Sequence, residues 1–300
     1  GLVATSVYNY LACLLRALGN SAAPLVFLGV SALLNVGLDL LFVPVLGWGI
    51  AGAAWATVIA QYVSAAGMLV YVLAKCKSLL PKRSELRLNR SILGEIFRLS
   101  SLTCAQQSVM NFGILMVQGL VNSFGATVMA AFAAAVKIDT FAYLPVQDFG
   151  NAYSTFAAQN FGAKRTDRIR EGTRRAFLLS AGFGAALSIA VCALAAPLMR
   201  LFVDPGETAV VAAGVRYLRI EGTLYAGIGC LFLFYGYFRA VQRPGVSVVL
   251  TAISLGTRVL LAYLLSAFWG EVGIWLSIPI GWVLADLAGL WFMKARPLRV

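Results

Sequence analysis

The sequence has 300 residues, 60% hydrophobic and 12% charged, with no histidine, five cysteines and a formal net charge of +12. Soluble globular chains carry about 25% charged residues, so a mean hydropathy of +0.84 marks an integral membrane protein, whose natural unit is a span of about 20 residues. The lack of histidine excludes imidazole triads, histidine metal sites and histidine proton relays, and Cys13, Cys76, Cys104, Cys192 and Cys230 form no CxxC pair and read as apolar fillers.

Apolar runs bounded by turn residues predict nine membrane helices, over residues 1–17, 22–46, 50–74, 98–123, 127–158, 176–202, 208–239, 245–268 and 271–293. The first run starts at Gly1 with no charged leader or cleavage signal, so it reads as an incomplete span rather than a signal peptide.

The second run contains ALLNVGLDLLFV, residues 32–43, which sets Asn35 and Asp39 in a lipid-soluble segment. Four residues apart, they share one helix face about 6 Å along the axis. The chain turns back at PVLGWG, and the third run descends antiparallel. A rise of about 1.5 Å per residue puts Asp39, Thr57 and Asn35 roughly 8, 12 and 14 Å below that turn. An ionised carboxylate at that depth costs at least about 2.5–3.5 kcal/mol, so it needs a wet cavity or a partner. Two readings are open: a cluster that binds a coupling cation, or a set of hydrogen bonds joining two helices. The nearby Gly49, Gly52, Ala53 and Ala56 are small enough for close helix packing.

Residues 76–97 form the longest polar connection and read as a linker between bundles, either a basic loop or an amphipathic interfacial helix. In the fourth run Thr103, Gln107, Asn111 and Gln118 make one polar stripe, which lines a cavity or glues two helices. The fifth run holds Lys137, Asp139, Pro145 and Asp148. Lys137 and Asp148 share a face but stand roughly 16 Å apart, too far to pair. Glu221 and Arg258 are further charges within spans, able to pair across helices. Phe141, Tyr143, Tyr225, Phe232, Phe234 and Tyr235 supply aromatic surface for a pocket, though most such rings face lipid or core.

Nineteen of the 24 basic residues fall in alternate connections, those holding Arg16, Lys75–Arg98, Lys164–Arg175, Arg239 with Arg243, and Lys294–Arg299. This bias places those connections and the C-terminus in the cytoplasm, with the chain in the inner membrane. It also accounts for the positive charge through topology and anionic lipid, with no call for nucleic acid. An internal repeat accompanies it. Arg16-Ala17 and Arg239-Ala240, offset by 223, each close a span ahead of a short turn, a long apolar span, a glycine turn and a final span. Repeated bundles of this kind are a transporter signature.

RALGNSAAP at 16–24, LLNVGLDLLFVPVLGWGIAGAAWATVIAQ at 33–61, FGATVMAAFAAAVKI at 124–138 and AAQNFGAKRTDRI at 157–169 resemble the multidrug and toxic compound extrusion (MATE) transporters, the last segment favouring the DinF-type branch. The resemblance implies an all-α polytopic membrane protein with two helical-bundle lobes related by a pseudo-two-fold repeat, the first lobe incomplete. This chain would supply spans four to twelve, with residues 1–75 a partial N-terminal lobe of three spans, 76–97 a cytoplasmic linker and 98–300 a six-span C-terminal lobe. The implied activity is cation-coupled export of drugs or amphiphilic organic compounds by alternating access, from a monomer, with H⁺ or Na⁺ as coupling ion and no other cofactor. Asn35, Asp39 and Thr57 match the polar cluster of the family's first lobe, and Gln107, Asn111, Gln118, Lys137 and Asp148 are candidates for the substrate cavity. A flippase for lipid-linked oligosaccharides or polysaccharides in the same superfamily is an alternative. A membrane transferase is a weaker one, because the acids never form a DxxD pair, and no P-loop supports ATP-driven pumping.

Overall fold

The computed structural model describes residues 1–76, 89–204 and 206–295, so most of the 76–97 linker lies outside the described residues. Every regular element among them is helical. The chain divides into two compact units, Gly1–Arg90 and Ser91–Val300.

The first unit is a three-helix bundle: α1 (Leu2–Ala17), α2 (Ala22–Leu40) and α3 (Gly49–Lys75). Helix α3 packs on both others. Its buried residues Gly52, Ala56, Ala60, Ser64, Met68 and Val72 repeat every four positions, the face that a 3.6-residue period turns inward. Helix α1 answers with Ala4, Tyr8, Leu11, Ala12 and Leu15. Cross-helix hydrogen bonds tie the bundle: Tyr8 Oη donates to the Pro24 carbonyl (2.7 Å), Ser31 Oγ to the Ala60 carbonyl (3.0 Å) and Ser64 Oγ to the Phe27 carbonyl (3.1 Å). Helix α2 continues as a π-helical turn, Leu41–Val45, which contains Pro44. Proline has no N–H to give the fourth residue before it. The wider turn closes instead through Leu46 N–H to the Leu41 carbonyl (3.0 Å).

The second unit holds α4 (Arg90–Asn122), α5 (Ala126–Gly162), α6 (Thr166–Arg200), α7 (Thr208–Gly222), α8 (Tyr225–Ala240), α9 (Pro244–Trp269) and α10 (Glu271–Ala295). Its core gathers around α8 and Trp275, whose ring stacks on Phe132 (5.3 Å) and meets the edge of Tyr217 (4.9 Å). Backbones touch where side chains are absent: a methyl at Gly184 of α6 would sit 2.6 Å from the Ala226 Cα of α8. Arg216 and Glu271 join α7 to the start of α10 at 3.3 Å. Helices α5 and α6, 37 and 35 residues long, extend more than 50 Å at about 1.5 Å per residue. They exceed a hydrocarbon layer of about 30 Å and project beyond it.

Three expectations need correcting. The span expected over 208–239 is two helices, α7 and α8, bent by 52° at Thr223–Leu224. Glu221, Gly222 and Thr223 interrupt the apolar run at the break, and no proline marks it; the Thr223 hydroxyl caps the Ile220 carbonyl (2.8 Å). The fourth helix starts at Arg90 rather than residue 98, absorbing the end of the linker. Against the nine expected spans, six helices among the described residues are long and apolar enough to cross a membrane, or seven with the bent pair. Helix α1 has only 16 residues, and α4 is long but diluted by its charges and polar stripe.

The repeat reappears at the level of element boundaries. The offset of 223 carries Leu2–Ala17 onto Tyr225–Ala240, so α1 and α8 coincide residue for residue, and the starts of α2 and α3 fall within one residue of those of α9 and α10.

Candidate functional site

Helix α2 carries Asn35 and Asp39 half-buried on one face. Asn35 Nδ2 and Asp39 Oδ1 are shielded from solvent, yet neither has a hydrogen-bond partner. The bonds between α2 and α3 come from Ser31 and Ser64 instead. Thr57 is exposed, and its hydroxyl donates to the Ala53 carbonyl of its own helix (3.0 Å). The structure thus keeps Asn35 and Asp39 as an unsatisfied pair and leaves Thr57 engaged elsewhere. The π turn begins two residues after Asp39, and such turns recur at functional sites.

In the second unit, Gln107 and Asn111 are exposed on α4, while the half-buried Gln118 donates to Asn122 (3.1 Å). The stripe does not glue α4 to its own unit. That contact is made by Gly113 against Leu255 and by Val117 and Val121 in the core. Lys137 is exposed in a cleft of about 280 Å³ that also holds Asp204 and Glu207. Asp148 is exposed. Neither Lys137 nor Asp148 is in an ion pair among the described residues. Of the aromatic residues, Tyr225, Phe234 and Tyr235 are buried in the core, Phe141 is 76% exposed, and Tyr143 stacks on Phe232 (6.0 Å).

A further cluster surrounds the bend between α7 and α8. Tyr225 donates to Asp139 Oδ1 across to α5 (2.6 Å). Glu221, 3% exposed in the last turn of α7, leaves Oε2 without a partner. Arg258 of α9 acts electrostatically on both carboxylates, and its Nε is likewise unpartnered. Asp286 of α10 leaves Oδ1 unpartnered, and its Oδ2 faces the first turn of α8, 3.6 Å from where a methyl at Gly227 would lie. Sequence reasoning offered Glu221 and Arg258 as a pair across helices but did not bring Asp139 and Tyr225 to them. The missed signal was the break in the apolar run at Gly222, since helix breaks inside membrane bundles expose backbone groups that bind ions. No group of three or more Cys, Asp or Glu side chains converges as a metal site among the described residues.

The repeat connects the two clusters. The offset of 223 places Asn35 at the position of Arg258. At equivalent points the second unit holds a permanent cation near its acids, and the first holds a neutral amide beside one.

Comparison with known proteins is consistent with this architecture. The sequence profile of the MatE family matches residues 102–264. The chain is 30% identical over 294 residues to the "Probable multidrug resistance protein YpnP" of Bacillus subtilis, with 96% of this chain and 64% of that protein covered. It is 23% identical over 279 residues to the multidrug export protein MepA of Staphylococcus aureus, with 92% and 60% covered. Among solved structures, the MATE transporter VcmN of Vibrio cholerae in its bent form superposes with a TM-score of 0.85 at 25% identity, covering 96% of this chain and 65% of that one. A MOP-superfamily transporter of Pyrococcus furiosus gives 0.90 at 20% identity, with 96% and 65% covered. The chain therefore spans a little under two thirds of these relatives, which are named for transport or drug resistance and not for enzymatic reactions. It belongs to the MatE family.

Proposed function

We propose that the protein containing this chain exports drugs or amphiphilic organic compounds, often cationic, in exchange for H⁺ or Na⁺, by alternating access in the inner membrane with its C-terminus in the cytoplasm. The observation that carries the coupling is the unsatisfied pair Asn35 and Asp39. A carboxylate oxygen kept from water without a hydrogen bond is costly, and a bound proton or cation lowers that cost. The second unit meets the same demand internally with Arg258. The first unit is left to take its positive charge from outside, which is what coupling to an ion gradient requires. The exposed Gln107 and Asn111 and the half-buried Gln118, with Lys137 and Asp148, are the groups offered to substrate.

The test uses the whole protein in lipid vesicles, with fluorescent cationic dye followed under imposed H⁺ or Na⁺ gradients, wild type beside Asp39→Asn. One gradient is expected to drive the wild type, and the variant should lose dependence on it. An unchanged gradient dependence in Asp39→Asn would remove Asp39 from the coupling site.

A further inference from the structure

A cavity of about 630 Å³, in the size range of small-molecule sites, lies between the end of α5 and the start of α6, apart from both polar clusters. Its character changes along its length. Toward the α5–α6 turn it is lined by Arg168 and Arg175, with Glu171 between them and Phe156 over Gly172 at the same level; at the far end it is lined by Phe149 and Leu179. Arg168 and Arg175 are seven residues apart and so share a face of α6. No charge follows Arg175 on α6 until Arg200, so Arg175 marks where the helix enters the apolar layer and Leu179 lies one turn inside it. The polar groups beneath the cavity are already engaged, since Tyr153 Oη and Thr173 Oγ1 share a hydrogen bond of 2.5 Å. Arg168 makes no hydrogen bond or ion pair among the described residues, while Arg175 pairs with Glu171. Phe156 lies over Gly172, where a side chain would strike the ring.

We infer that this groove binds one anionic glycerophospholipid, its phosphate held by Arg168 and Arg175 and one acyl chain running along Phe149, Phe156 and Leu179. Charge and shape select that occupant together. Two arginines against one glutamate leave the head end positive, with Lys164, Arg165, Arg170 and Arg174 adding to the field. Guanidinium groups bind phosphate oxygens in a bidentate way. A cationic compound would be repelled there, and a soluble anion would have no use for the three apolar side chains. The inference concerns a lipid contact and stands or falls independently of ion coupling.

The test is native mass spectrometry of the whole protein in non-ionic detergent, offered phosphatidylglycerol and phosphatidylethanolamine with identical acyl chains. Wild type should retain phosphatidylglycerol in preference. A basic residue near the membrane surface contributes about fivefold to anionic-lipid affinity, so Arg168→Gln/Arg175→Gln should weaken retention roughly thirtyfold. Arg174→Gln, which does not line the cavity and contributes only to the surrounding field, should weaken retention by no more than about fivefold. Equal retention of the two lipids by wild type would overturn the assignment without recourse to any variant. So would undiminished phosphatidylglycerol on the double variant, or an equal loss on Arg174→Gln.

Discussion

Asn35→Arg gives the first unit the built-in cation that Arg258 supplies in the second. Asn35 lies one turn before Asp39 on the same face of α2, and its Nδ2 has no partner to lose. A guanidinium about 4 Å from the carboxylate, at an effective dielectric constant near 20, interacts with it by about 4 kcal/mol. That figure is an upper end, because Asp39 is half-buried and partly screened. A monovalent cation competing for Asp39 must overcome that energy, which at 1.4 kcal/mol per decade is about a thousandfold in affinity. The assay is dye transport by the whole protein in vesicles, with initial rates measured against proton or sodium concentration. The midpoint should shift by up to three decades, or the ion dependence should vanish, while dye binding measured by fluorescence persists. An ion-dependence curve that superimposes on the wild type would refute the reasoning, since it would mean that the coupling ion never competes for the space beside Asp39.

The other expectations concern the second unit. Arg258→Leu leaves Asp139 and Glu221 without their base, and breaking such a buried arrangement costs about 3–5 kcal/mol. The melting temperature in detergent should fall, and adding Glu221→Gln should recover part of the loss; a double variant no more stable than the single one would detach Arg258 from Glu221. Gly184→Ala would force α6 away from the Ala226 backbone, an overpacking penalty of about 1–3 kcal/mol. Gly182→Ala, with open space around its position, should melt as wild type does, and equal melting of both variants would count against the close crossing.

Much of this architecture was readable from hydrophobic periodicity and turn glycines. The Arg-Ala repeat anticipated the correspondence of α1–α3 with α8–α10 even though few letters match, because membrane helices are defined by length and turns more than by identity. Asp39 stood out because a carboxylate in an apolar run has few inexpensive environments. Counting residues set Thr57 level with Asn35 and Asp39, but depth alone does not determine whether a hydroxyl turns to a neighbour or back onto its own helix, and here it turned back. The α7–α8 bend was hidden because Gly222-Thr223-Leu224 carries neither charge nor proline. The cluster of Asp139, Tyr225, Glu221 and Arg258 draws on four helices, and no spacing within one helix could have gathered it.

The π turn at Leu41–Val45 has a consequence for how the hairpin can vary. A wider turn holds one residue beyond what an α-helix needs, and each residue corresponds to about 100° of azimuth around the axis. Deleting one residue between Asp39 and Gly47 would let the turn close as an ordinary helix and keep the side chains before it near their present bearing relative to α3, because the wide turn already absorbs the extra residue. A further insertion has no such outlet and would swing Asp39 by about 100° with its chemistry unchanged. In this stretch single-residue deletions should therefore be tolerated better than single-residue insertions.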